Sequence, residues 1–286
     1  NTLTRIHQKS ADLRHVVQTA LERNRKKYDL QSKQLKGTEK RDKYKVYGEL
    51  INTYGYNLEP GSKELTALNY YTNEEITIPL DPTQTPGENA QRYFAKYNKQ
   101  KRTFEALTEL IQETADDIQY LESISNALDI ALSEADLAQI KEELMQSGYI
   151  RRKHTKKKVK LTSKPMHYIS SDGYDMYVGK NNLQNEELTF SFANGNDWWF
   201  HAKGAPGSHV IVKSGGDELP DRTFEEAGRL AAYYSKNRGA DKVEIDYIQK
   251  KHVKKPNGAK PGFVVYYTNY SLVIDSDISN IKNVQD

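Results

Sequence analysis

The chain of 286 residues has no cysteine, so no disulfide staples it and no thiolate can hold a metal. A reducing compartment fits that absence without being required by it. It also has no run of about 18 apolar residues, which excludes a membrane-spanning helix. Apolar residues are scarce, at 36%, and the mean hydropathy is −0.85. That is too little for one compact core of this length, so a core plus an elongated, solvent-exposed element is expected. The first residues lack the apolar centre of a signal sequence. They open on Asn1 inside a helical pattern, as a piece cut from a longer protein would.

What is present is segregated charge. The net charge is only +3, yet residues 1–45 carry a balance of +8 and residues 87–148 a balance of −6. Residues 149–164 hold eight Lys or Arg and no acid, and the last 122 residues are nearly neutral. Two arms of opposite sign attract one another, and a basic belt precedes whatever follows.

The negative arm carries a heptad seam. Spacings of four and three pick out Tyr93, Tyr97, Gln100, Phe104, Leu107, Ile111, Thr114, Ile118, Leu121, Ser125, Leu128, Leu132 and Ala135. A poorer seam in the positive arm runs through Leu3, Ile6, Leu13, Val17, Leu21, Tyr28 and Leu35. Equal lengths, opposite charges and a chain that must turn back predict an antiparallel coiled-coil hairpin over 1–148. An arm of about 40 residues reaches roughly 60 Å. An exposed seam would instead serve self-association.

The turnaround, at about 44–86, predicts a short helix over Tyr44 to Tyr54 and a hairpin from Glu64–Asn69 and Glu75–Leu80. Its tyrosines either pack locally or form a docking surface. Ser133, three residues before Asp136, caps a further helix that Gly148 ends.

The run Arg151-Arg152-Lys153-His154-Thr155-Lys156-Lys157-Lys158 lies in a linker over 149–164. So many adjacent cations repel unless acids or phosphates neutralise them, which points to RNA or to a solvated linker. From 165 to 286 the pattern predicts a compact mixed α/β domain. A hairpin is expected around Ser171-Asp172-Gly173, a helical stretch over Glu187–Ala193, and a helix opening at Thr223. Further strands are expected at Val243–Tyr247, Phe263–Tyr267 and Leu272–Ile274. The fold class expected for the whole is α+β.

The densest segment is Asp197 to Val210, which holds both tryptophans, His201, Ser208 and His209 around a turn made permissive by Gly204 and Gly207. Ser208 lies outside any nucleophile elbow, and as strand neighbours Ser208 and His209 point to opposite faces, which argues against a hydrolase. The spacing of Asp197, His201 and His209 matches no zinc pattern. No cofactor and no catalytic residue is expected. The loop either shapes an RNA-facing surface or is a turn over core aromatics. A second loop, Gln249 to Gly262, interleaves five lysines with turn residues and offers them to a phosphodiester backbone, Lys254, Lys255 and Lys260 foremost.

At these residues the chain resembles the NFACT family. The matching motifs are Asp172-Gly173, Gly179-Lys180-Asn181, Asn185, Asp197 with Trp199-Phe200-His201-Ala202, and Pro206-Gly207-Ser208-His209-Val210. His252-Val253-Lys254-Lys255 and Gly258-Ala259-Lys260-Pro261-Gly262 follow. Upstream, Leu80-Asp81-Pro82, Asn89-Ala90-Gln91 and Tyr93-Phe94 resemble the entry into the family's second coil. The resemblance implies a middle coiled coil and a C-terminal RNA-binding domain. It also implies a cytoplasmic role in ribosome quality control, in which the full protein binds the large ribosomal subunit and tRNA and tails stalled nascent chains. Some members are described as fibronectin- or fibrinogen-binding, which implies a cell-surface adhesin as the alternative. The nucleic-acid contacts expected are Arg151, Arg152, Lys156, Lys157, Lys158, His201, Ser208, His209, Lys254, Lys255 and Lys260.

Overall fold

The computed structural model describes residues 1–153 and 160–284, so Lys156, Lys157 and Lys158 lie outside the described residues. The fold is α+β, in two compact units: Asn1–Arg23 with Asp117–Asp286, and Asn24–Asp116. This division does not follow the linker, because the ends of the long helices belong to the same unit as the C-terminal sheet.

Two helices dominate the first half, α1 (Thr2–Lys36) and α3 (Pro86–Ile130). In the first unit, Leu13, Val17, Ala20 and Leu21 of α1 pack with Tyr120, Leu121, Ile124 and Leu128 of α3. Helix α4 (Glu134–Gln146) joins them through Leu137, Ile140 and Leu144. Ser133 caps α4 by accepting from Asp136 N at 3.1 Å, and Gly148 leaves it at φ +83°. The opposite charges meet here as Arg14–Asp129 at 2.9 Å and Arg5–Glu134 at 3.3 Å. Both are partly exposed, so each contributes at most about 1 kcal/mol.

The seams differ from expectation at their ends. Leu132 is 82% exposed because α3 stops at Ile130, and Leu3 is also exposed. Beyond Leu21 the first seam does not fade. It continues through buried Asn24 and Gln31, one heptad apart, which a search for apolar residues passes over, while Tyr28 is 38% exposed instead of on the seam. Gln31 Oε1 is buried without a partner, an arrangement that costs stability. Gln31→Leu is therefore expected to stabilise the fold by about 1 kcal/mol, read as a raised midpoint in urea unfolding.

The second unit also contains α2 (Arg41–Tyr54) and the antiparallel pair β1 (Glu64–Asn69) and β2 (Glu74–Pro79). Asn73 adopts φ 58° in their turn, as the left-handed corner requires. Leu50, Ile51, Leu65, Ile78 and Tyr93 form its core. Gly48 lets α2 approach α3, since a Cβ there would sit 2.7 Å from the Phe94 ring.

The C-terminal sheet is wholly antiparallel, in the order β8-β7-β5-β6-β4-β3-β9. Its strands are β3 (Met166–Ile169), β4 (Asp175–Val178), β5 (Trp198–Ala202), β6 (Val210–Val212), β7 (Val243–Gln249), β8 (Tyr270–Ile274) and β9 (Lys282–Asn283). One face, with Met176, Val178, Phe200, Val210 and Ile245, packs on Ala227, Leu230 and Ala231 of α6 (Asp221–Tyr233). The other face, with Trp199, Ile211 and Ile248, is covered by Leu188 and Val253.

Three local expectations are corrected. The helix near 187 starts earlier, as α5 (Asn182–Glu187) capped by Asn181, and continues as a π-helical turn over Leu188–Phe192. Helix α6 opens at Asp221 after Pro220; Thr223 Oγ1 instead donates to Asp172 at 2.9 Å, and Glu226 accepts from Ser171 N at 3.1 Å. Residues Phe263 to Tyr267 form no strand of the sheet. They fold back against the Lys254 segment through one antiparallel bridge, Lys254 to Val265, because Gly258 and Gly262 turn the chain at φ +73° and +81°.

Candidate nucleic-acid interface

Strand β5 sorts its aromatics by the two-residue period of a strand. Phe200 points into the core beneath α6, while Trp199 points to the opposite face beside Tyr266, with ring centroids 4.9 Å apart. His201 follows on the Trp199 side, its ring stacked on the indole at 5.6 Å. The loop after β5 is tied to the end of α6: Ser208 N donates to Tyr234 O at 3.0 Å, and Lys236 N to Pro206 O at 2.9 Å. Gly207 suits that approach, since a Cβ there would lie 3.1 Å from Ser235 Cβ, tighter than ordinary contact.

His209 immediately precedes β6 and is a structural pin. Its backbone N–H donates to Asn185 Oδ1 at 3.0 Å, and its ring lies 2.8 Å from Thr189 Oγ1 and 3.1 Å from Gly262 O. A carbonyl can only accept, so Nε2 carries the proton toward Gly262 and Nδ1 accepts from Thr189. The imidazole is thus neutral and fully used. Burial drives its pKa down to about 3, with His201 and Lys255 adding in the same direction. Burial also lowers His201. Ser208 and His209 are 1% and 2% exposed, so the surface contact expected of them is corrected: a phosphate could reach them only if the loop opened. His201 is half-buried.

Asp197 is likewise committed. Its carboxylate accepts from Asn194 N at 2.7 Å and Ser214 N at 3.0 Å, and pairs with Lys213 at 2.7 Å. Among the described residues, no group of His, Asp and Glu converges as metal ligands would.

The polar run after Gly179 organises the basic loop. Asn181 caps α5, accepting from Gln184 N at 3.0 Å. Asn182 Nδ2 donates to Ser123 Oγ at 2.8 Å and to Glu143 Oε2 at 3.0 Å. Glu143 also accepts from Tyr120 OH at 2.6 Å, and burial raises its pKa. Glu186 accepts from Gly262 N at 2.7 Å and pairs with Lys255 at 2.6 Å. Lys260 pairs with Asp117 and lies 4.8 Å over the Tyr120 ring.

Lys255 and Lys260 are therefore paired and half-buried, so a phosphate at either would compete with a carboxylate already in place. Lys251, His252 and Lys254, on the same loop, are exposed. Arg151 is exposed, and Arg152 is exposed but paired with Glu142 at 2.7 Å. Lys251 and His252 lie in the loop and motif that the sequence singled out, though not among its expected contacts; Asn182, Glu186 and Glu143 were missed. The signal for the helix residues was there, as polar side chains clustered immediately after the Gly179 turn.

A basic, rigidly held loop on an antiparallel sheet beside α5, with a capped helical bundle upstream, defines the class. The chain belongs to the NFACT family: residues 1–163 match the NFACT N-terminal and middle domains, and residues 164–267 match the NFACT protein RNA binding domain. It is 41% identical over 282 residues to the Rqc2 homolog RqcH of Streptococcus pneumoniae, covering 98% of this chain and 51% of that protein. The Rqc2 homolog RqcH of Bacillus subtilis is 39% identical over 284 residues, with 97% and 49% covered. The chain thus spans about half the length of the curated relatives it matches. A solved structure, the C-terminal part of the fibronectin/fibrinogen-binding protein from Streptococcus suis, superposes with a TM-score of 0.77 at 37% identity, covering 98% of this chain and 99% of that one. No helix among the described residues is long and apolar enough to cross a membrane.

Proposed function

We propose that this chain is the RNA-contacting part of a cytoplasmic ribosome quality-control factor. It acts by binding, not by catalysis. In this reading it engages the large ribosomal subunit and tRNA or rRNA, and it supports the tailing of stalled nascent chains by the full-length protein. The observation that carries it is the division of the loop's cations: Lys255 and Lys260 are held by carboxylates, while Lys251, His252 and Lys254 stand exposed. Such point charges suit phosphates, which fix position without reading sequence. The relatives named Rqc2 homolog RqcH and the RNA-binding domain match support the same reading.

Binding of labelled tRNA and of 50S particles should weaken steeply with salt. The double variant K251Q/K254Q should lower the slope of log K against log salt by about 1.4 to 1.8, the loss of two phosphate contacts. An unchanged slope would remove the loop from the interface.

The structural similarity to a fibronectin/fibrinogen-binding protein favours a second reading, a module that binds those matrix proteins. Fibronectin and fibrinogen presented to the same chain in parallel, with fractionation of the full-length protein, separate the two. Saturable fibronectin binding that persists in K251Q/K254Q, without binding to 50S, would favour the matrix-binding module.

A further inference from the structure

The second unit holds a cavity of about 490 Å³, in the range of ligand pockets. Three aromatic rings line it. Tyr44 and Tyr93 are near parallel, at 14° with centroids 6.0 Å apart, and Tyr47 meets Tyr93 edge-on at 5.2 Å. The Tyr93 hydroxyl donates to the Pro79 carbonyl, which fixes that ring. Pro79, Leu80 and Pro82 complete an apolar wall.

Cations crowd these rings. Lys96 Nζ lies 5.0 Å from the Tyr44 centroid, Lys43 Nζ lies 5.5 Å from Tyr44 and 5.6 Å from Tyr47, and the Arg92 guanidinium lies 5.1 Å from Tyr93. None of the three forms an ion pair among the described residues; Arg92 donates to the Asn89 amide oxygen at 3.1 Å, also bonds the Tyr93 side chain, and attracts Asp81 from beyond ion-pair distance. Asp81 is the one acid on the lining, and its carboxylate already accepts from Thr83 N at 2.9 Å and Thr83 Oγ1 at 2.6 Å. Mutual repulsion of three cations in one small site is relieved by a bound anion.

We infer that this pocket binds a nucleotide unit of single-stranded RNA, with its phosphate drawn by Lys43, Lys96 and Arg92 and its base laid against the half-buried Tyr44 and Tyr47 rings, which buried Tyr93 supports from behind. Lysine ammoniums are point charges that suit a phosphate, whereas a carboxylate-bearing peptide is matched best by paired arginine forks. Aromatic faces add the stacking that a base can use and an acidic side chain cannot. The inference extends the RNA-binding reading to a second site. It does not depend on the basic loop of the C-terminal sheet.

The test uses the whole chain in the K251Q/K254Q background, so that the loop does not mask the pocket. Fluorescence anisotropy of a short labelled single-stranded RNA is measured against salt, beside an abasic phosphodiester chain, AMP and oligoglutamate as competitors. Lys43→Gln with Lys96→Gln should lower the salt slope by about 0.7, one phosphate at the single-strand value. Both side chains are exposed, so the circular dichroism melt should stay unchanged. Tyr44→Leu should weaken RNA binding roughly tenfold through lost stacking while leaving the abasic chain's affinity as it was. An unchanged slope in the lysine variant would overturn the site. So would displacement of the RNA by oligoglutamate at equal concentration, which would make the ligand an acidic peptide, or by AMP as readily as by RNA, which would make it a free nucleotide. Loss of tRNA binding in K251Q/K254Q alone, with the pocket's RNA binding intact, would separate the two sites. If neither variant changed binding, the RNA reading as a whole would fall.

Discussion

Gly179→Ala should destabilise the C-terminal sheet unit by about 2–4 kcal/mol, among the larger effects of a single methyl group. A Cβ at this position lands on the Asn185 side chain, 2.9 Å from Cγ and 3.0 Å from the Asn185 backbone nitrogen. Neither neighbour can step aside. Asn185 Oδ1 receives the His209 N–H at 3.0 Å, and the Asn185 backbone N–H donates to Asn181 O at 2.9 Å in the first turn of α5. Any shift therefore opens the helix start and unpins His209 together. Urea unfolding measures the loss. A fall below about 0.5 kcal/mol, the scale of a neutral surface change, would show that the turn is more pliable than its packing indicates. Gly262 is the milder counterpart: a Cβ there would press on the Asn182 side chain, and φ is +81°.

Acid should unfold the same unit through His209. Its folded pKa is held near 3 by burial, while in the unfolded chain it is about 6.5. Below pH 6.5 the unfolded chain takes up a proton that the folded chain refuses. Stability is therefore full above pH 6.5 and is lost as pH falls toward the folded value, at up to about 1.4 kcal/mol per pH unit. His201, lowered in the same direction, adds to the slope. Other titrating groups can be told apart. Glu143 is raised by burial, so it gains stability as pH falls through its folded value and opposes the histidines. Asp129 and Asp136 are held below the usual carboxylate range by their lysine, arginine and hydrogen-bond partners, against desolvation. Their contribution is present above their unfolded pKa and disappears only below about pH 4.

The difference between wild type and His209→Gln isolates the effect. The variant should be less stable at pH 7 by about 1–3 kcal/mol, since Thr189 and Gly262 lose well-placed partners. Its stability should also fall less steeply between pH 6.5 and 4.5. Parallel curves for the two proteins would mean that His209 is protonated in the folded state, contrary to its hydrogen bonds.

Much of the architecture is legible in the residues alone. The four-three spacing of Tyr93 to Leu128, the turn at Asn73 and the Ser133 cap depend on neighbours a few residues away, so local rules suffice for them. The seam through Asn24 and Gln31 escaped because burial of a polar side chain is decided by what packs over it. The strand expected at Phe263–Tyr267 has the right residue types, and two glycines turn it into a bridge instead. The α6 start moved because Thr223 and Glu226 found better partners in the β3–β4 turn than in their own helix.

The candidate site divides the same way. Sequence by itself determined the family motifs, the seams and the presence of lysines and histidines on two glycine-bearing loops. Which of those groups meet solvent was decided only by the tertiary structure, because their partners are remote: Glu186 reaches Lys255 across 69 residues and Asp117 reaches Lys260 across 143. A buried or paired charge and a free one look alike in a sequence. They differ in function because only the cation without a carboxylate beside it gains by binding a phosphate.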